Sequence, residues 1–181
     1  MNVKQTLPVG VQRTELRMHR DERGWLTEVF RDEWRTGIHP VQWNMVYSHP
    51  GTLRGFHVHL AHYDYLIVPK GRLILGLKDL RSRSPTFQLS VMLDLSAEHP
   101  ETVTIPPGVG HGFFFPAESI LFYSVSEYWN PDDELGCRWD DPGLGLAWPV
   151  TSPLLSERDR TAPSLDELMT LVQKHECPEC G

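Results

Sequence analysis

The chain has 181 residues, of which 40% are hydrophobic and 23% charged, the composition of a globular protein with a sizeable core. Its formal net charge of −7 argues against nucleic-acid binding, and no apolar run approaches the ~20 residues of a membrane span. The N-terminal residues lack the apolar segment of a signal peptide, so we expect a cytoplasmic protein.

Short strands separated by turn signals are predicted along most of the chain, which indicates an all-β sandwich or barrel without βαβ units. In chain order they lie at about residues 11–18, 25–30, 41–48, 52–60, 63–69, 72–79, 87–95, 102–106, 112–115 and 119–128. The strand at 41–48 places Gln42 and Asn44 on one face and apolar side chains on the other. Such a polar face lines a wet cavity or meets solvent.

One helix is predicted near the C-terminus, after an irregular segment at residues 129–156. Ser164 and Glu167 form a capping box, and the apolar spacing that follows predicts a helix over about 164–174. The tail at 175–181 contains Cys177 and Cys180, which are at most half of a zinc site. No linker divides the chain, so a single domain over residues 1–181 is expected.

The stretch GTLRGFHVHL at residues 51–60 holds the residues with the clearest chemistry. On a strand, His57 and His59 point to the same face, with Arg54 near the start of the strand. Two imidazoles on one face indicate either a proton-transfer site or half of a metal site.

The spacing of four residues also indicates a metal site. His57, His59 and Asp64 are followed by His111 after a Pro-Pro-Gly turn, and this two-part pattern resembles the cupin barrel. In metal-binding cupins these positions hold the ion, and neutral imidazoles with one carboxylate suit a divalent transition metal.

Further motifs extend almost the whole length of the chain in a consistent order and spacing. They are DERG at 21–24, QWN at 42–44, GTLRGFH at 51–57, DLR at 79–81, SPTF at 84–87, PPGVGHGF at 106–113, WDDP at 139–142 and LSERD at 155–159. In these motifs the chain resembles the dTDP-4-dehydrorhamnose 3,5-epimerase family, a non-metal branch of the cupins. The resemblance implies a jelly-roll β-barrel with a short C-terminal helix, no cofactor, a homodimer and a dTDP-linked 4-keto-6-deoxyhexose as substrate, in deoxysugar or surface polysaccharide biosynthesis.

The resemblance also implies the catalytic groups. Because the 4-ketone acidifies the protons on C3 and C5, a histidine base can remove one and leave an enolate. Here that base is His57, held by Asp159, which fixes the imidazole tautomer and raises its basicity. His111 matches a histidine near the sugar oxygens, where it stabilises the enolate.

The substrate-binding residues follow from the same resemblance. Arg23 and Arg54 match diphosphate-binding arginines, whose guanidinium groups suit bidentate phosphate contacts. Gln42, Asn44 and Glu28 match polar positions that line the nucleotide and sugar pocket.

Three departures from the family pattern fall at the chemical centre. The family's acid is a tyrosine at the position of Trp129, and an indole N–H is not a usable acid near neutral pH. Tyr128 is adjacent but would point the other way on a regular strand. A family lysine is replaced by Asp64, and a common glutamine by His59.

These departures leave three alternatives to the epimerase hypothesis. Arg54 to His59 reads RGFHVH, which also resembles the dTDP-sugar 3,4-ketoisomerases, enzymes that do not need the family tyrosine. The second alternative is a metal-dependent cupin that uses His57, His59, Asp64 and His111. The third is a non-catalytic protein that binds a nucleotide sugar.

Overall fold

The computed structural model describes residues 5–176, in which strands are the predominant regular secondary structure. The strands are β1 (Gln12–Glu15), β2 (His19–Asp21), β3 (Gly24–Leu26), β4 (Gln42–Ser48), β5 (Thr52–Val58), β6 (Asp64–Lys70), β7 (Arg72–Asp79), β8 (Ser90–Ser96), β9 (Glu101–Ile105), β10 (Val109–Phe115), β11 (Ser119–Val125) and β12 (Leu135–Gly136). The helices are α1 (Glu157–Arg160) and α2 (Leu165–Glu176).

Two five-stranded sheets form the body, and their strands pair in antiparallel fashion. The first sheet has the order β1-β9-β6-β11-β4, and the second has the order β12-β5-β10-β7-β8. β2 and β3 form a separate hairpin. The all-β fold predicted from the sequence is confirmed.

Apolar side chains from both sheets fill the space between them. Leu66 and Leu121 of the first sheet share one buried cluster with Leu75 and Leu93 of the second. A second cluster lies behind the second sheet, where Phe56 packs with residues of α2. Burial on both faces therefore fixes β5, which is the strand that carries His57.

The C-terminal helix begins and ends close to the prediction, because Ser164 and Glu167 make the expected capping contacts. Its apolar residues Leu165, Leu168 and Val172 are buried in the second cluster. Cys177 and Cys180 lie outside the described residues. Within residues 5–176 no helix has the length and apolar composition that a bilayer span requires.

β4 alternates as predicted, but its apolar face is the exposed one. Trp43, Met45 and Tyr47 are exposed, whereas Gln42 and Asn44 are partly buried and line a cavity. Polar side chains thus face inward on this edge strand, and large apolar side chains face outward. An apolar face of this kind is typical of an interaction surface.

Candidate active site

A cavity of about 260 Å³ lies between the two sheets, at the end of the barrel where β5 ends and β6 begins. It is lined by Val46, Arg54, His57, His59, Asp64, Leu66, His111, Phe113, Leu121, Tyr123, Glu134, Ser156, Arg158 and Asp159. A smaller outer pocket, lined by Gln42, Asn44, His62 and Trp129 among others, adjoins it through shared residues. The cavity gathers a base, an acid and an arginine in one place.

A larger depression of about 840 Å³ lies at the far end of β6, near Gly71. Its walls carry the exposed ion pair of Arg72 with Asp94. Paired charges in contact with water are not poised for catalysis, so the smaller cavity is the candidate active site.

A β-bulge in β5 brings Arg54 and His57 to the same wall. Residues three apart on a regular strand point to opposite faces. In the pairing with β10, however, His57 lies opposite His111 and Arg54 opposite Phe113, so β5 uses one more residue than β10 over this interval. Gly55 (φ 118°) makes the bulge possible, since a Cβ there would lie 2.8 Å from the Gly112 Cα.

His57 is paired with Asp159, although 102 residues separate them in sequence. The His57 Nε2 atom lies 2.6 Å from the Asp159 Oδ1 atom. Backbone hydrogen bonds of Leu154 with Gly51 and Leu53 dock the preceding segment against the start of β5. The Ser156 hydroxyl then accepts from the Asp159 backbone N–H at 3.1 Å and caps α1.

The Asp159 carboxylate is buried and ionised. Burial alone would raise its pKa, but hydrogen bonds from His57, Ser156 and Gly55 hold the pKa below its ordinary value. A buried carboxylate bonded to an imidazole fixes the ring orientation and stabilises the imidazolium form. His57 is therefore built to accept a proton from a group in the cavity.

His59 and His111 lie beside His57 and are neutral. Their ring centroids are 5.2 Å apart. Burial lowers the pKa of His59, and burial with the neighbouring histidines lowers that of His111 well below the ordinary value. The His111 Nδ1 atom is buried and has no hydrogen-bond partner among the described residues.

Asp64 begins β6 of the first sheet and lines the same cavity as His57 of the second sheet. Within residues 5–176 no donor makes a hydrogen bond to the Asp64 carboxyl, and the nearest basic atom is His62 Nε2 at 3.9 Å. Burial raises the pKa of Asp64 to about 7; the nearby His62 opposes this shift, and the Glu134 and Asp133 carboxylates add to it. Asp64 is thus about half protonated near pH 7 and increasingly protonated below it.

Asp133 holds the two loop histidines. His62 Nδ1 lies 3.0 Å from Asp133 Oδ2, and His59 Nδ1 lies 3.1 Å from the Asp133 carbonyl oxygen. The Asp133 carboxylate also accepts from the backbone N–H groups of Leu60 and Ala61. One buried aspartate, Asp133, therefore orders the loop between β5 and β6.

The metal set predicted from the sequence is not assembled as expected. Among the described residues, the ligand atoms that lie within 4.8 Å of one another belong to His59, His62 and Asp64, without His57 or His111. The rings of His59 and His62 are stacked at 4.1 Å with an interplanar angle of 26°. A metal lies near the plane of each ring that binds it, about 2 Å from the nitrogen. Two nearly parallel rings do not fit one shared ion.

Other predicted binding residues lie at the mouth of the cavity. Arg54 is fixed by the Ser48 hydroxyl at 3.1 Å and the Tyr47 carbonyl at 3.3 Å. Gln42 donates to the Asn44 side chain at 2.9 Å and accepts from the Trp129 backbone N–H at 3.2 Å. These contacts hold polar groups and one indole around the entrance.

Three predicted residues line neither the inner cavity nor the outer pocket. Tyr128 is 74% exposed, and β11 ends at Val125, so the strand alternation used to orient Tyr128 and Trp129 does not reach them. Arg23 lies on the β2–β3 hairpin with a side chain 85% exposed and paired with Asp21. Glu28 is paired with Arg31 outside the barrel.

Several residues in or beside the two pockets were not predicted from the sequence. Tyr123 belongs to the inward face of β11, and the alternation of that strand was a usable signal. His62, Asp133, Glu134 and Arg158 lie outside the strands, where no periodicity marks them. Arg158 donates to the Glu134 carboxylate at 2.6 Å, so this pair closes one side of the cavity.

A two-sheet barrel with a His–Asp pair inside it and an arginine at its mouth defines a class, the cupin-type sugar-nucleotide isomerases. The family model of dTDP-4-dehydrorhamnose 3,5-epimerase matches residues 6–167, and the chain belongs to this family.

The chain aligns with named relatives over most of their length. The dTDP-4-dehydrorhamnose 3,5-epimerase of Sinorhizobium fredii is 35% identical over 163 residues, which cover 84% of each chain. That of Escherichia coli is 33% identical and covers 94% of this chain and 98% of its own. The crystal structure of ChmJ, a 3′-monoepimerase from Streptomyces bikiniensis in complex with dTDP-quinovose, is 32% identical with a TM-score of 0.84. It covers 91% of this chain and 88% of its own, so the cupin-type jelly-roll fold is shared.

Proposed function

We propose that this chain is an epimerase of a dTDP-linked 4-keto-6-deoxyhexose, in deoxysugar or surface polysaccharide biosynthesis. The observation that carries the proposal is the His57–Asp159 pair at 2.6 Å inside a cavity whose mouth holds Arg54. Family membership and the names of its relatives agree with this substrate class.

The reaction begins with proton removal beside the ketone. His57 takes the proton from C3 or C5, and Asp159 stabilises the imidazolium that results. Negative charge moves to the ketone oxygen, where neutral His111 donates a hydrogen bond through a ring N–H. His59 lines the same cavity beside His57 and orients the sugar.

The nucleotide lies outside the inner cavity, which is just below the usual ~300–1,000 Å³ of small-ligand pockets. Arg54 grips the diphosphate at the mouth. Gln42 and Asn44 contact the sugar or base from β4, and Trp129, with Tyr128 near it, provides a stacking surface for the base.

A homodimer accounts for the residues that do not line the cavity. β4 presents Trp43, Met45 and Tyr47 to the outside, which favours burial against a second copy. We infer that Arg23 on the hairpin, together with Glu28, completes the diphosphate and nucleotide site of the neighbouring subunit.

We propose that the reaction needs no metal, because a ketone already acidifies the adjacent C–H groups and the stacked His59–His62 pair does not fit an ion. A 3,4-ketoisomerase is the second candidate. It is favoured by the placement of His57 and His59 on one wall and by the indole at Trp129 in place of a phenol.

The test is incubation with a dTDP-4-keto-6-deoxyhexose in D2O, followed by NMR. An epimerase incorporates deuterium at C3 or C5 and inverts that centre, whereas a ketoisomerase moves the carbonyl to C3. Activity should survive a chelator. Loss of activity in chelator, restored by a divalent transition metal, would support the metal-dependent cupin. Binding of dTDP without exchange would support the non-catalytic alternative.

A further inference from the structure

We propose that Asp64 is the acid that returns a proton to the substrate on the ring face opposite His57. The inference rests on the proposed epimerase function and supplies the group that the family's tyrosine provides elsewhere. It identifies one further catalytic residue, which comes from the other sheet of the barrel.

The first observation is placement. Inversion of a carbon centre needs a base on one face of the ring and an acid on the other. His57 belongs to β5 of the second sheet, and Asp64 begins β6 of the first sheet. Both line the same cavity between the sheets, so a sugar bound there lies between them.

The second observation is that the carboxyl is free to act. Asp64 is only 5% exposed, yet its carboxyl receives no hydrogen bond from residues 5–176. A buried carboxylate without donors is costly, and the neutral acid is the stable form. The groups around it are His62, His59, Asp133, Glu134 and Tyr123, of which the carboxylates oppose its ionisation.

The third observation is that Trp129 cannot act as the acid. It lines the outer pocket, but its indole is not an acid near neutral pH. Tyr123 is the one phenol that lines the inner cavity within the described chain. It is the rival that an experiment must separate from Asp64.

The proton balance closes without a co-reactant. His57 breaks the C–H bond and becomes imidazolium, and the electron pair forms the enolate. The enolate carbon takes the proton of the Asp64 carboxylic acid on the opposite face, which leaves a carboxylate. After the product leaves, His57 releases its proton to solvent and Asp64 regains one, with His62 and Asp133 beside it as the proton path.

The experiment compares Asp64→Asn with wild type in D2O, using a dTDP-4-keto-6-deoxyhexose. We expect inversion to fall by about 10²–10⁴-fold, while deuterium still enters the substrate with unchanged configuration. That separation distinguishes a missing acid from a misfolded site, because His57 must remain active. Asp94→Asn, at an exposed ion pair with Arg72, is the matched control and should behave as wild type.

Wild-type enzyme provides a second measurement that needs no folded variant. The ratio of inversion to deuterium wash-in should fall as pH rises above about 7, because only the acid step needs protonated Asp64. A ratio independent of pH from 6 to 9 would overturn the assignment.

Other outcomes are equally decisive. Inversion within about threefold of wild type in Asp64→Asn, or equal loss of wash-in and inversion, rejects Asp64 as the acid. If Tyr123→Phe alone separates wash-in from inversion, Tyr123 is the acid. If wild type shows no exchange at all, the epimerase function itself fails and the acid assignment falls with it.

Discussion

The protonation of Asp64 has a consequence for stability that does not depend on any substrate. Asp64→Asn replaces the acid by an amide of nearly the same shape that cannot ionise. The wild-type carboxyl has an ordinary pKa of 3.8 in the unfolded chain and about 7 in the folded protein. The two proteins should therefore respond differently to pH.

The sign follows from proton linkage. Because the folded-state pKa is the higher one, the contribution of Asp64 to stability is complete below pH 3.8 and is lost as the pH rises to about 7. Each pKa unit corresponds to about 1.4 kcal/mol, so the loss approaches about 4 kcal/mol. The Asn variant does not suffer this loss.

The assay is urea unfolding of both proteins at pH 5, 6, 7 and 8. The free energy of unfolding of the variant, minus that of wild type, should increase by about 1–3 kcal/mol across this range. Asp94→Asn is the control, because the hydrogen bond from Arg72 lowers the pKa of Asp94, and its difference should not increase. A difference for Asp64→Asn that is flat within about 0.5 kcal/mol would refute a neutral buried acid.

Four further results are expected. Asp159→Asn should lower kcat by about 10²–10⁴-fold with dTDP affinity unchanged, and equal activity would contradict the dyad. Arg54→Ala should weaken dTDP binding about tenfold or more by calorimetry; unchanged binding would remove it from the diphosphate site. Leu168→Ala should lower the free energy of unfolding by about 2–5 kcal/mol, whereas exposed Leu171→Ala should change it by less than about 0.5. Met45→Asp should yield monomers in sedimentation experiments, and a persistent dimer would locate the interface elsewhere.

The sequence predicted the β-architecture because strand alternation and turn residues are local signals. His57 and His59 do line one cavity, as their spacing indicated. Arg54 joins them only through the bulge at Gly55, and spacing alone would have placed it on the other face. Its position was predicted by family resemblance, since a bulge has no period.

Contacts between segments that are distant in the sequence could not be predicted from local sequence patterns. His62 and Asp133 meet because the segment after β11 returns to cap the 59–64 loop. Neither residue follows a strand or helix period, so only the fold brings them together. Tyr128 shows the converse error, because alternation was extended past Val125, where the strand ends.

Two departures from the family pattern, at Trp129 and Asp64, together change the position of the acid. Trp129 removes an acid from the outer edge of the site, and Asp64 adds one inside, in place of a lysine. Burial, together with the nearby Glu134 and Asp133 carboxylates, favours the neutral form of Asp64, so the cavity gains an acid. Restoring a tyrosine in Trp129→Tyr should therefore rescue inversion in Asp64→Asn. No rescue in a folded double variant would mean that the two positions do not share one role.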